Sequence, residues 1–192
     1  MRTWHVPSPM CGDAVFDQLV SYVHGGDYLL HGSRTTGLRV LEPRAPIDFS
    51  VDDFSKTTAV YATEDPTWAM GYALRTAESS PFLNACFYPA ARAGQWSARR
   101  IFLSYARTAS SRWPLSPGVV YVLPAAQFRR MPSYTDRQLG HITECQWIAT
   151  EPVPVVTEIP VTPENLPLRP RRHDPDLVRR RAADEPDGFP WL

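Results

Sequence analysis

Residues Asp27–Leu38 read DYLLHGSRTTGL, and the fold turns on how this stretch is understood. Tyr28, Leu29 and Leu30 form a short apolar run with strand character, and His31-Gly32-Ser33 follows at once. A histidine at the end of a buried strand, next to a residue without a Cβ, suits a site where backbone comes close to a flat ligand. Gly32 leaves room for its N–H and C=O to bond an amide, and His31 offers a directed ring nitrogen. A strand ending in a turn with a surface histidine is the plain alternative, because short motifs often match by chance.

Working outward, residues 60–74 read VYATEDPTWAMGYAL. Val60 and Tyr61 close a short strand. Asp65 then has the character of a helix N-cap, with Pro66 at the favoured first helical position. Trp68, Ala69, Tyr72 and Ala73 recur at helical spacing, so Tyr72 lies about two turns along at about 3.6 residues per turn. Two tyrosines held in this way can sandwich a planar ring, and they serve equally well as core aromatics.

Together these stretches resemble the ADP-ribosyltransferase superfamily, on its diphtheria-toxin and poly(ADP-ribose) polymerase side. LLHGSRTTGLR matches that side's strand, HGS, Thr-containing turn and Gly-Leu, and Tyr61 and Tyr72 repeat its eleven-residue tyrosine spacing. The likeness covers residues 27–75 well and 118–156 loosely. It implies an α+β fold in which two small antiparallel sheets with flanking helices form an NAD cleft, NAD being the co-substrate. His31 would bond the ribose on the adenosine side, and the Gly32 backbone would hold the carboxamide. Ser33 would support the turn, while Tyr61 and Tyr72 would bracket the nicotinamide. Ala69 stands where such families often place a small hydroxyl.

The implied chemistry breaks the nicotinamide glycosidic bond through an oxocarbenium-like state, which calls for negative charge beside the ribose. The superfamily supplies it from a glutamate on a late strand, and the alignment puts Gln146 of Glu144-Cys145-Gln146 at that position. Glutamine can bond a hydroxyl but carries no charge. Glu144, two positions earlier, points to the same face if the strand is regular, displaced by about 6–7 Å. Two catalytic readings follow. Either Glu144 is the working carboxylate, or the chain is a catalytically silent NAD or ADP-ribose-binding module. The third reading is a tRNA 2′-phosphotransferase-like RNA enzyme, for which His31, Arg34 and Arg39 are a thin basic set. The acceptor of ADP-ribose, protein or nucleic acid, is not written in the sequence.

Length and composition set the remaining bounds. At 192 residues the chain suits one domain with a real core. Twenty acidic and twenty basic residues cancel, which gives no global signature of nucleic-acid binding. Cys11, Cys86 and Cys145 are odd in number and widely spaced, and they suggest neither a disulfide framework nor a metal site. No apolar run approaches the roughly 20 residues of a membrane span, and MRTWHVPSPM lacks a secretion signal's apolar core, so a soluble cytoplasmic protein is expected.

The pattern predicts a loose leader over 1–10, then a helix from Asp13 with Val15, Phe16, Leu19, Val20 and Val23 on one face, stopped by Gly25-Gly26. Residues 39–58 read as a loop passing over the ligand. Ile101–Tyr105 and Gly118–Leu123 read as strands, and 124–128 as a helical turn. Residues 110–117 and 132–141 read as loops. Thr143–Thr150 and Val153–Ile159 read as the last two strands. The ADP-ribosyltransferase-like domain is thus expected over 1–159. The Pro/Arg-rich segment 160–192 is expected to be mostly extended or disordered, with a short helix around 176–182.

Overall fold

The computed structural model describes residues 13–46, 52–91, 94–107 and 115–192. The expected leader over 1–10 lies outside the described residues, as do parts of the expected loops at 39–58 and 110–117. Helix α1 (Ala14–Val23) begins where Asp13 accepts hydrogen bonds from the N–H groups of Val15 and Phe16. It ends at Gly26, whose φ of +79° glycine adopts without strain. Leu19 is fully buried, whereas Val20, expected on the core face, is 38% exposed.

Strands β1 (Tyr28–Ser33), β2 (Val40–Leu41) and β3 (Val60–Thr63) precede helix α2 (Pro66–Ala73). Strands β4 (Phe82–Pro89), β5 (Arg100–Ala106), β6 (Gly118–Pro124) and β7 (Arg129–Arg130) follow. After them come β8 (Tyr134–Asp136), β9 (Gly140–Glu144), β10 (Gln146–Ala149), β11 (Val153–Pro154), β12 (Thr157–Val161) and β13 (Arg171–His173). Helix α3 (Pro175–Asp184) closes the order.

The result is α+β. Six strands assemble in the order β12-β6-β1-β3-β10-β7 and five in the order β13-β5-β4-β9-β8, with β11–β2 as a separate ribbon. The described pairings are antiparallel, apart from β13 running parallel to β5. One core joins the two large sheets: Leu30, Val120 and Val122 meet Trp68 and Met70 of α2, with Cys86, Ile101 and Leu103 from the other sheet. Side chains of this size contribute up to about 1.5–3 kcal/mol each on full burial. A second core, with Leu29, Tyr121 and Leu123, lies against the β11–β2 ribbon through Leu41 and Val153.

Helix α2 sits deep because β1 and β6 each place a glycine, and so no side chain, beneath its C-terminal half. A Cβ on Gly32 would lie 2.0 Å from the Ala69 carbonyl oxygen and 2.6 Å from the Ala73 nitrogen. On Gly118 of the adjacent β6 it would lie 2.1 Å from the Ala73 carbonyl oxygen. The missing Cβ of Gly32 therefore admits a helix. The expectation tied it to a ligand's approach.

Four expectations need correction. Residues 143–150 are not one strand: the chain leaves the five-stranded sheet after Glu144 and enters the six-stranded sheet at Gln146, with Cys145 as the joint. The loop expected at 132–141 is largely the β8–β9 hairpin. The strand expected over Val153–Ile159 divides into β11 and β12. The division at 159/160 cuts through β12, and the segment after it is ordered into β13 and α3. Val178 and Trp191 pack on Leu83 and Phe102 of the five-stranded sheet. A few well-placed apolar groups anchor this segment, although its average composition is that of a solvated tail. The expected helix around 176–182 is present within α3.

Candidate functional site

The site is built where β1, β3, β10 and α2 meet. His31 Nδ1 lies 2.7 Å from the Tyr61 carbonyl oxygen. A carbonyl only accepts, so Nδ1 carries the proton and Nε2 is left with a lone pair. Burial pushes the His31 pKa down, and the positive charges of Arg75 and Arg44 add to the shift. The ring is therefore neutral near pH 7 and suited to accept a hydrogen bond from a hydroxyl. Ser33 Oγ accepts from the Thr35 N–H at 3.1 Å, so it does brace the turn after β1.

Tyr61 and Gln146 share one face of the β3–β10 pair, since Tyr61 opposes Ile148 and Thr63 opposes Gln146. Both reach the same turn. The Tyr61 hydroxyl lies 2.9 Å from the Ser55 carbonyl and 2.6 Å from that of Thr57, and Gln146 Nε2 donates to Ser55 Oγ at 3.1 Å. Asp52 caps this turn by accepting from the Ser55 N–H at 2.7 Å. The segment expected to pass over a ligand thus rests on Tyr61 and Gln146.

Tyr72 is close to Gly32, where an added Cβ would lie 2.9 Å from its own Cβ. Its hydroxyl donates to Asn84 Oδ1 at 3.0 Å, and Trp68 Nε1 donates to the same oxygen at 2.7 Å. Arg75 lies over the Tyr72 ring, 4.9 Å from its centroid. That face of the ring is therefore covered by the guanidinium and closed to a flat ligand in this arrangement.

Glu144 is placed apart from this group. It pairs with Phe87 in the five-stranded sheet, and its Oε1 accepts from the Tyr134 hydroxyl at 2.5 Å. Burial pushes the Tyr134 phenol up, and the negative charges of Glu144, Asp136 and Asp52 add to it. Asp52 is therefore within electrostatic reach of the Tyr134–Glu144 pair. Because Cys145 breaks the strand, the same-face argument for Glu144 and Gln146 does not hold.

His31 thus bonds the Tyr61 backbone, Tyr61 and Gln146 meet at the 52–57 turn, and Gly32 faces Tyr72, with Glu144 across the joint. No family model, curated protein or solved structure matches this chain. Three side chains carry parts of the site that sequence reading did not single out. Ser55 links Tyr61 to Gln146, and Asn84 fixes Tyr72. Glu64 accepts from Trp147 Nε1 and pairs with Arg130 at 2.6 Å. Asn84 sits inside an otherwise apolar strand, FLNACFYP, which is the one signal that marks it in the sequence.

Among the described residues no group of three or more His, Cys, Asp and Glu could hold a metal ion. No described helix is long and apolar enough to cross a membrane.

Proposed function

We propose that the chain is an ADP-ribosyltransferase-like protein that binds NAD in this cleft, cleaves it at the nicotinamide glycosidic bond and passes ADP-ribose to a protein or nucleic-acid acceptor. The observation that carries the reading is the fixed His31 tautomer at the Tyr61 backbone, with Gly32 next in the strand and facing Tyr72. A neutral imidazole with an outward lone pair suits a ribose hydroxyl, and Gly32 lies at the same strand end for a carboxamide. Tyr61 and Tyr72 would bracket the ring once Arg75 swings aside. In this reading Gln146 holds a ribose hydroxyl and Glu144 supplies the charge after the 52–57 turn opens.

A second reading, the catalytically silent NAD or ADP-ribose-binding module, draws on Gln146, which is uncharged and already engaged by Ser55. An RNA phosphate end is a third ligand, supported by Arg44 and Arg75, whose charges both reach His31.

Calorimetric titration with NAD, run beside an assay of nicotinamide release with and without cell lysate, tests the first two. NAD binding that falls about tenfold in His31→Ala, in keeping with one lost hydrogen bond, supports the cleft. Release that disappears in Glu144→Ala makes the protein an enzyme. Binding without release, with activity gained in Gln146→Glu, favours the silent module. No NAD binding by the wild type ends the first two readings.

A further inference from the structure

We propose that Cys86 and Cys145 are a dithiol pair that closes to an intramolecular disulfide at the joint between the two sheets. Phe87 opposes Glu144, so the antiparallel register sets Cys86 opposite Cys145. The Cys145 N–H donates to the Cys86 carbonyl at 2.9 Å, continuing that register past the end of β9. Directly opposed residues in such a pair have Cα atoms about 5.5 Å apart. That lies inside the range of about 4.4–6.8 Å that a disulfide spans without backbone movement.

Both cysteines are unlinked and fully buried, and both belong to the core that holds Trp68 and Met70. Asp65, Arg99, Glu64 and Tyr88 are the charged and titratable groups around them. Burial pushes the Cys86 thiol well up and raises that of Cys145 as well. Cys145, at the break after β9, is the sulfur that local opening of the joint exposes first.

Hydrogen peroxide, small enough to enter on local opening of the joint, is a sufficient oxidant. The Cys145 thiolate attacks one peroxide oxygen: the S–O bond forms, the O–O bond breaks, and hydroxide leaves as water after taking a proton. The Cys86 sulfur then attacks the sulfenic sulfur, the S–S bond forms, and the second oxygen leaves as water. Two thiols and one peroxide give one disulfide and two waters. Cys145 stands between Glu144 and Gln146, so the new bond ties both ends of the joint to β4.

The test uses the full chain with Cys11→Ser, treated with peroxide, quenched, and alkylated under denaturing conditions. The reduced protein takes two labels. The expected oxidised protein takes none, yields a single peptide joining the Cys86 and Cys145 segments, and recovers both labels after dithiothreitol. The link closes a loop of about 60 residues, so the melting temperature should rise on the order of 10 °C. Two labels retained after peroxide, links only between chains, or a melting temperature unchanged or lowered in the linked form would each overturn the proposal.

Discussion

Helices α2 and α3 begin in the same way and end in opposite circumstances. Each opens on Asp-Pro, with the aspartate accepting from the first turn's N–H groups: Asp65 from Trp68, Asp174 from Asp176 and Leu177. In α2 seven of eight residues are buried, so every face meets protein; in α3 only Val178 is buried. Capping fixes where a helix starts. Depth is decided elsewhere, here by Gly32 and Gly118 under α2, and by a solvated face of arginines on α3. The contrast extends to the caps: Asp65 is fully buried and paired with Arg99 at 2.5 Å, whereas Asp174 is exposed.

The sharpest way to break the contrast is to raise the floor under α2. Gly32→Ala places a methyl against helix backbone, and a loss of about 3 kcal/mol or more in chemical denaturation is expected, in the upper range of overpacking. A stable Gly32→Ala protein with α2 still seated would show that the glycine floor does not set the helix's depth.

Next come the two caps. Asp65→Ala removes a cap and strands the Arg99 charge, and breaking a buried pair costs about 3–5 kcal/mol. Asp174→Ala removes only a cap, for about 1 kcal/mol. Equal denaturation midpoints for the two variants would erase the distinction between a buried and an exposed start.

The attachment of α3 is expected to weaken in acid. His173 is buried, bonds Ser104 at 2.8 Å, and has its pKa pushed down to about 4 by burial. Between about 6.5 and 4 the unfolded chain binds a proton that the folded chain refuses. Stability is therefore full above about 6.5 and falls by up to about 1.4 kcal/mol per pH unit, or on the order of 3 kcal/mol in all. His31 carries the same sign, so His173→Gln should flatten part of the profile and the double variant most of it. An unchanged slope in both variants would remove the histidines as the cause.

The smallest effect belongs to Arg179–Asp176, an exposed pair at 2.8 Å on α3. Arg179→Ala should shift stability by less than about 0.5 kcal/mol, measured by denaturant midpoint. A larger loss would mean that α3 is held by its charged face as well as by Val178.

Legibility in the sequence follows the same division between local and distant causes. The starts of α1 and α2, the strands around 101–105 and 118–123, and the turn at 125–127 were readable because caps, prolines and apolar runs act over a few residues. Tyr72 was placed correctly on the helix, but Tyr61, expected to close its strand, lies in the first half of β3, which runs on to Thr63, and neither hydroxyl's partner could be read. Ser55 and Thr57 come into reach through the turn that leads into β3, and Asn84 only through packing of β4 on α2. Residues 143–150 misled because Thr-Glu-Cys-Gln-Trp-Ile-Ala-Thr has uniform strand character, and a change of sheet at Cys145 leaves no compositional mark. Segment 160–192 misled for the opposite reason: Val178 and Trp191 are too few to lift its average, but they land on Leu83 and Phe102.

The pairing order of the six-stranded sheet has a consequence for synthesis. The strand bearing His31 lies between Val119–Pro124 and Thr63, and β3 in turn needs Gln146–Ala149. At about 5–20 residues per second, β1 spends several seconds outside the ribosome before its nearest long partner exists. During that interval the LLHGS strand has its β6 edge unsatisfied, and β3, bridged to it at Leu30–Thr63, is its one earlier neighbour in the sheet. The newborn chain's solubility then rests on how quickly residues 118–149 arrive, so slow translation through that region would expose this strand longest.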